Sequence, residues 1–319
     1  MNITPQQLHI PVLLESVLTL LTPKTGERYL DLTAGYGGHA RAVIALMGDG
    51  KTDDAKLASG AKFATLVDRD EFAIGHLSDL AKNGAQILHK DFLSAAKQLA
   101  EKGETFDMIL LDLGVSSVQL DFGDRGFSFA KEAPLDMRMD RSQNLTAAEI
   151  VNHYSEKNLV KILTEYGEES PRMSAKIARE IIWRRKKQKF TTTNDLSELV
   201  RKTVAKADHG KFHKIHPATK TFQAIRIAVN DELGQLEKTL EILPNLLNDG
   251  GRLAAISFHS LEDRIVKNFF RENNAAIDFE NQLNILTKKP VKGSEFDNNP
   301  RARSAKLRVA VKINKNRKE

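Results

Sequence analysis

Short apolar runs alternate with longer amphipathic stretches over much of this chain. Tyr29–Asp31, Phe63–Asp68, Ala85–His89, Phe106–Gly114 and Gly250–Phe258 read as strands. Phe106–Gly114 is apolar throughout its middle, as a strand buried on both faces should be. Helical spacing appears in His39–Met47, in Glu71–Leu77 and in a lead-in from His9 to Leu21 that Pro23 stops. The Gly-, Asp- and Lys-rich stretch 49–60 reads as a surface loop between the first helix and the second strand. Lys306–Lys312 alternates and predicts a late strand of the same sheet. The alternation predicts an α/β fold: a doubly wound, mostly parallel, Rossmann-like sheet.

The character changes from Leu145 to about Phe212, where no strand signal survives. Amphipathic helices are predicted over Ala147–His153, Glu156–Tyr166, Pro171–Lys187 and Asn194–Ala205, the last capped by Asn194 and Asp195. Thr221 through Leu243 predicts one long helix whose buried stripe holds Phe222, Ile225, Val229, Leu236, Leu240 and Leu243. The expected organisation is therefore 1–140 and 215–319 as two parts of one sheet domain, with an all-helical domain, 141–214, inserted between them. No internal repeat is visible.

The chemistry is concentrated where the first strand runs into Gly35-Tyr-Gly-Gly-His39. Gly35-x-Gly37-x-x-Ala40 fits a dinucleotide fingerprint formally. A pyrophosphate wants the positive end of the following helix and no nearby carboxylate, and Asp31 lies four residues before the first glycine. S-adenosylmethionine, with a sulfonium and an ammonium, accepts an acid there and is the favoured cofactor. A tight turn with no ligand remains the plain alternative. Asp68 ends the second strand, where an acid can accept hydrogen bonds from ribose hydroxyls. Phe92 follows the third strand, where its ring could lie against a purine. Asp112 emerges at the end of the fourth, and a carboxylate buried there is costly unless it is paired or used. The aperiodic run 115–129 reads as a working loop.

Composition narrows the choice. The 319 residues contain no cysteine, which excludes disulfides, cysteine-held zinc, iron–sulfur clusters and thiolate nucleophiles. Methylation of pyrimidine carbon 5 by cysteine attack on the ring goes with them. No His/Asp/Glu spacing argues for a metal: His209, His213 and His216 sit on a Gly- and Pro-bearing linker. No apolar run reaches the roughly 18 residues that span a bilayer, and the first residues lack a secretory pattern. A cytoplasmic protein without a membrane partner is expected. The net charge of +6 is unevenly placed. Residues 172–189 hold eight Lys or Arg against Glu180, and residues 301–319 hold eight against Glu319. Two such concentrations suggest a polyanionic partner. In the first of them, Arg172, Lys176, Arg179, Lys186 and Trp183 lie away from the apolar face of Met173, Ile177 and Ile181. Bases and phosphates could be met there, or the face is simply solvated.

Long motifs then converge. They are His9-Ile-Pro-Val-Leu-Leu-Glu15, Gly35-x-Gly-Gly-His39, Leu111-Asp-Leu-Gly-Val-Ser-Ser117 with Gln119-Leu, Arg125-Gly-Phe-Ser-Phe129 and Pro134-Leu-Asp-Met-Arg-Met-Asp140. Phe222–Leu233, Ile256-Ser-Phe-His-Ser-Leu-Glu-Asp-Arg264 and Asn299-Pro-Arg-Ala-Arg-Ser-Ala-Lys306 complete the set. Through them the chain closely resembles the bacterial 16S ribosomal RNA cytosine-N4 methyltransferases known as RsmH or MraW, over nearly its whole length. The resemblance implies S-adenosylmethionine binding by Gly37, Gly38, His39, Asp68, Phe92, Asp112 and Gln119. It also implies a cytidine in the decoding region of small-subunit RNA as substrate, with the helical domain serving substrate recognition. Asp112 is the candidate for a catalytic role, although Asp112-Leu-Gly-Val replaces the Asp/Asn-Pro-Pro-aromatic motif of many amino-methyltransferases. Leu32, where the family often has glycine, and the long 49–60 stretch are further departures. A nicotinamide dehydrogenase on the same fold and a non-catalytic RNA-binding assembly factor are the rival readings. The oligomeric state is not legible.

Overall fold

The computed structural model describes residues 11–115, 125–129, 131–209, 215–275, 283–297 and 299–313. The chain forms two compact units, Met1–Gly114 with Leu233–Glu319, and Val115–Glu232.

The first unit is a sheet with helices on both faces. In chain order it runs α1 (Leu14–Leu21), β1 (Tyr29–Asp31), α2 (Gly38–Met47), α3 (Asp53–Ala61), β2 (Ala64–Asp68), α4 (Glu71–Gly75), α5 (Ser78–Lys82), β3 (Gln86–His89), α6 (Phe92–Glu101) and β4 (Phe106–Asp112). The strands are ordered β3-β2-β1-β4 and pair in parallel. The order reverses between β1 and β4, so a crevice opens at their carboxyl ends. Alternate residues of the strands feed two apolar layers. Tyr29, Leu66, Met108 and Leu110 pack with α1 and α2 on one face. Leu30, Val67, Ile109 and Leu111 pack with α6 on the other. A parallel strand covered on both faces is apolar at every position, which is why these runs were legible.

The remainder of this unit adds β5 (Leu247–Ser257), parallel to β4, and β8 (Lys306–Lys312), antiparallel to β5. The short β6 (Leu283–Ile285) and β7 (Val291–Lys292) both pair with β8. Lys306–Lys312 is thus a strand, as its alternation predicted. It also absorbs charge: Lys306 and Arg308 reach Asp263 at 2.9 and 2.7 Å, and Lys312 Nζ donates to the carbonyls of Pro244 and Leu247. Three of the eight cations of the 301–319 segment therefore hold the fold together.

Two expectations fail. The 49–60 stretch contains a helix, α3, whose cap Thr52 accepts a hydrogen bond from the Ala55 N–H. Its glycines mark close packing rather than a loop: a Cβ on Gly60 would lie 2.2 Å from the Ile44 carbonyl of α2. The long helix 221–243 is two helices, α11 (Ala218–Asn230) and α12 (Glu232–Leu246). They are separated by Asp231 in the left-handed region at φ 48, where it ends α11 with an N–H bond to the Ile227 carbonyl.

The second unit packs α7 (Ala147–His153), α8 (Glu156–Glu165), α9 (Pro171–Arg185), α10 (Thr193–Ala207) and α11 around one core. It extends beyond 141–214 at both ends. Phe127, Leu135, Met137 and Met139 are buried in that helical core, and so are Phe222, Ile225 and Val229. Asn230 fastens the two ends, accepting from the Met139 N–H at 2.9 Å and donating to the Met137 carbonyl at 2.8 Å. The start of α10 is capped by Thr192, with Asp195 as the reciprocal partner, rather than by Asn194.

Candidate active site at the strand ends

β1 ends on Asp31, whose side chain is 1% exposed. Oδ1 accepts the Thr33 N–H at 3.0 Å, a local turn that the sequence Asp-x-Thr encodes. Oδ2 accepts the Tyr29 hydroxyl at 2.9 Å. Burial nevertheless outweighs these bonds and pushes the carboxyl up to about 7. Asp31 therefore braces the loop from beneath. Thr33 passes the bracing on, because its Oγ1 accepts the N–H of Asp112 at 2.6 Å and ties the ends of β1 and β4 together.

The glycine turn follows. Gly37 sits at φ 81, a conformation that side chains resist, and caps α2. Gly38 opens α2 with ordinary backbone angles but no room, since a Cβ there would lie 2.6 Å from the Pro11 ring. The next residue, His39, is held at 6% exposure on α2 with Nε2 3.6 Å from Asp112 Oδ2.

Asp112 itself ends β4 with its side chain 21% exposed. Its Oδ1 is buried and finds no hydrogen-bond partner among the described residues. Burial first, then the nearby Asp31 and Glu262 carboxylates, raise this carboxyl well above the usual range. Asp68, ending β2, receives the Gly35 and Asp70 N–H groups on its two oxygens, both at 2.8 Å. Burial raises it as well. An ionised carboxylate can accept about four hydrogen bonds, so acceptor capacity is left at Asp68. Phe92 is the first residue of α6, behind its cap Asp91, and is partly buried against the layer containing Leu99 and Ile109. Gln119 lies outside the described residues, and so does His9.

Three acids from three strand ends thus share one electrostatic neighbourhood, and burial together with mutual repulsion disfavours their ionisation. A cation placed among them would relieve that cost, whereas a pyrophosphate would add to it. The donor set fits the sulfonium and ammonium of S-adenosylmethionine, and the orphaned Oδ1 of Asp112 supplies an acceptor. Sequence reasoning placed Asp112 and Asp68 here but missed the roles of Tyr29, Thr33 and the β5 end. There, His259 caps α13 (Ser260–Glu272) in a reciprocal pair with Glu262. Glu262 Oε2 accepts the Phe258 N–H at 2.8 Å, and Leu113 bonds to the Ile256 carbonyl beside them. The spacing His-x-x-Glu is itself a cap signal.

Residues 6–313 match a family model described as the MraW methylase family. The ribosomal RNA small subunit methyltransferase H of Synechocystis is 49% identical over 96% of this chain and 93% of its own length. The protein of that name from Rickettsia massiliae is 44% identical over 96% and 99%. A solved putative rRNA methylase from Clostridium thermocellum aligns over 94% of this chain and 95% of its own at 10% identity, with a TM-score of 0.41, too distant to add weight.

Proposed function

The chain belongs to the MraW methylase family, whose members are S-adenosylmethionine-dependent methyltransferases, and from that premise we propose that it methylates N4 of a cytidine in the decoding region of 16S ribosomal RNA. Its relatives' names support a small-subunit RNA substrate. The observation that carries the reading is Asp112, a partly buried acid at the switch point of the sheet, 3.6 Å from His39, whose Oδ1 has no partner among the described residues. An RNA substrate fits a cytoplasmic protein, and no helix among the described residues is long and apolar enough to cross a membrane.

Gly37, Gly38 and His39 would hold the donor at the start of α2, Asp68 would take its ribose, and Phe92 would flank its base. Gln119 joins this set through the resemblance alone. Bound there, S-adenosylmethionine supplies an electrophilic methyl group on sulfonium. The protein's own task is orientation. The exocyclic amine of cytosine is a weak nucleophile because its lone pair is delocalised into the ring. The exposed part of the Asp112 carboxylate would accept one amine N–H and orient the nitrogen. Once the cationic donor favours the ionised acids, the Asp112 carboxylate would take the proton that the amine sheds as the N–C bond forms and the sulfonium–methyl bond breaks. Tyr29, Asp31 and Thr33 act through Asp112 by fixing its backbone N–H.

Mass mapping of methylated nucleosides in small-subunit RNA, with and without the protein, tests the reading. One additional N4-methylated cytidine is expected. Asp112→Asn should fold, bind the donor and lose most turnover. Near-normal transfer by that variant would remove Asp112 from the chemistry, and a heat of binding with a nicotinamide nucleotide but none with S-adenosylmethionine would overturn the family's cofactor for this chain.

A further inference from the structure

We propose that the solvent face of α9 is a single-stranded RNA platform on which Trp183 stacks a nucleobase while Lys187 and the cations before it hold the adjoining phosphates. This rests on the reading of the chain as an RNA methyltransferase and names where its second unit takes hold of RNA.

α9 is sharply two-sided. Ile177, Ala178 and Ile181 face the core of the helical unit and are buried. At 100° per residue, Arg172, Lys176, Arg179 and Trp183 fall within an arc of about 60° on the other side, and Arg172 and Trp183 lie about 16 Å apart along the axis. Trp183 is 58% exposed, the only tryptophan of the chain and left in solvent in the middle of a basic stripe. One turn on, Lys187 returns over it, with Nζ 4.0 Å from the ring centroid. That contact covers one face of the ring. A base can lie on the opposite face with a cation already next to it.

The neighbouring arginines define the edge of the platform. Arg184 is spent internally on Asp195 at 2.5 Å and on the Phe190 ring. Arg185 donates to the Val151 and Tyr154 carbonyls, both at 2.8 Å. Arg179 pairs with Glu156 at 3.2 Å, but both partners are well exposed, so a phosphate can compete for the guanidinium. Glu180 is exposed at the margin of the arc and bounds the platform on that side. A merely solvated face accounts for the lysines. It does not account for a large exposed aromatic ring with a cation over one face among them, which is the pairing that sequence-tolerant binding of single strands uses.

The sole tryptophan makes the test direct. Its emission is followed while the full-length protein is titrated with single-stranded oligoadenylate, and separately with an abasic phosphate chain of the same length. Oligoadenylate should quench the emission and the abasic chain should not. Binding should weaken as salt rises. The variants lack tryptophan, so their affinity is read from the anisotropy of end-labelled oligoadenylate: Trp183→Ala should weaken binding by about 5- to 150-fold, the range of one lost stack, and Trp183→Phe should retain most of it. Equal quenching by both chains, or unchanged affinity in Trp183→Ala, overturns the platform. So does a tryptophan response to small-subunit proteins but not to RNA. Methyl transfer to subunit RNA is measured on the same preparation. Transfer without any tryptophan response sinks the platform and leaves the methyltransferase standing; a response without transfer does the reverse.

Discussion

Replacing Asp31 by Asn should make the sheet unit more stable at neutral pH and leave it little changed in acid. Asn fits the same space. Its carbonyl can accept the Thr33 N–H, and its amide can donate to Tyr29, whose hydroxyl turns round to accept. The variant therefore differs from the natural chain mainly in lacking a charge. The carboxyl rises from 3.8 to about 7 on folding because burial disfavours its ionised form. Below the lower value both states hold the proton and burial costs nothing extra. Between the two values the unfolded chain releases the proton first, so stability falls as pH rises. Above about 7 the loss is complete. A shift of about three units at 1.36 kcal/mol each gives roughly 4 kcal/mol, an upper value since water can relax the site. For a unit of about 200 residues that corresponds to on the order of 10 °C in Tm. Scanning calorimetry at intervals from pH 4.5 to 8.5 measures it, following the transition that S-adenosylmethionine shifts. The gap between variant and natural protein should widen steadily from the start of the scan to about pH 7 and then stay level. A constant gap, or one that closes as pH rises, would show that Thr33 and Tyr29 hold Asp31 ionised at its ordinary value, and the account of three disfavoured carboxylates would fail.

The same electrostatics predict that S-adenosylmethionine affinity rises from pH 6 to 8 and that binding releases protons, which isothermal calorimetry in buffers of different ionisation heat would reveal; a pH-independent affinity counts against it. Gly38→Ala should lower stability by about 1–2 kcal/mol through contact with the Pro11 ring, whereas in an open helix the same change would raise it by up to about 1 kcal/mol; thermal unfolding gives the sign. Arg308→Met should cost on the order of 3 kcal/mol by leaving buried Asp263 with Lys306 alone. Burial raises the Asp263 carboxyl, but hydrogen bonds from Arg308 and Lys306 outweigh it and lower the pKa, so this contribution is present at neutral pH and lost below about pH 4; urea unfolding at pH 7 and pH 3 compares the two.

What the sequence determined by itself was local or periodic. Parallel strands covered on both faces must be continuous apolar runs, and so β1, β2, β4 and β5 were legible and their carboxyl ends could be counted out to Asp68 and Asp112. Helices with one buried stripe announced themselves in the same way, as in α8, whose cap Ser155 the structure adds. What tertiary structure decided turns on neighbours far along the chain. Gly38 is required by Pro11, α3 exists because glycines let it close on α2, and Arg308 is spent on Asp263. The turn at Asp231 divides a stripe that periodicity reads as unbroken, because one residue at positive φ does not disturb the spacing of apolar side chains on either side. The state of the acids is the clearest case. A sequence shows three carboxyls, but only the depth at which the fold buries Asp31, Asp68 and Asp112, and their nearness to one another, decides how strongly each resists ionisation.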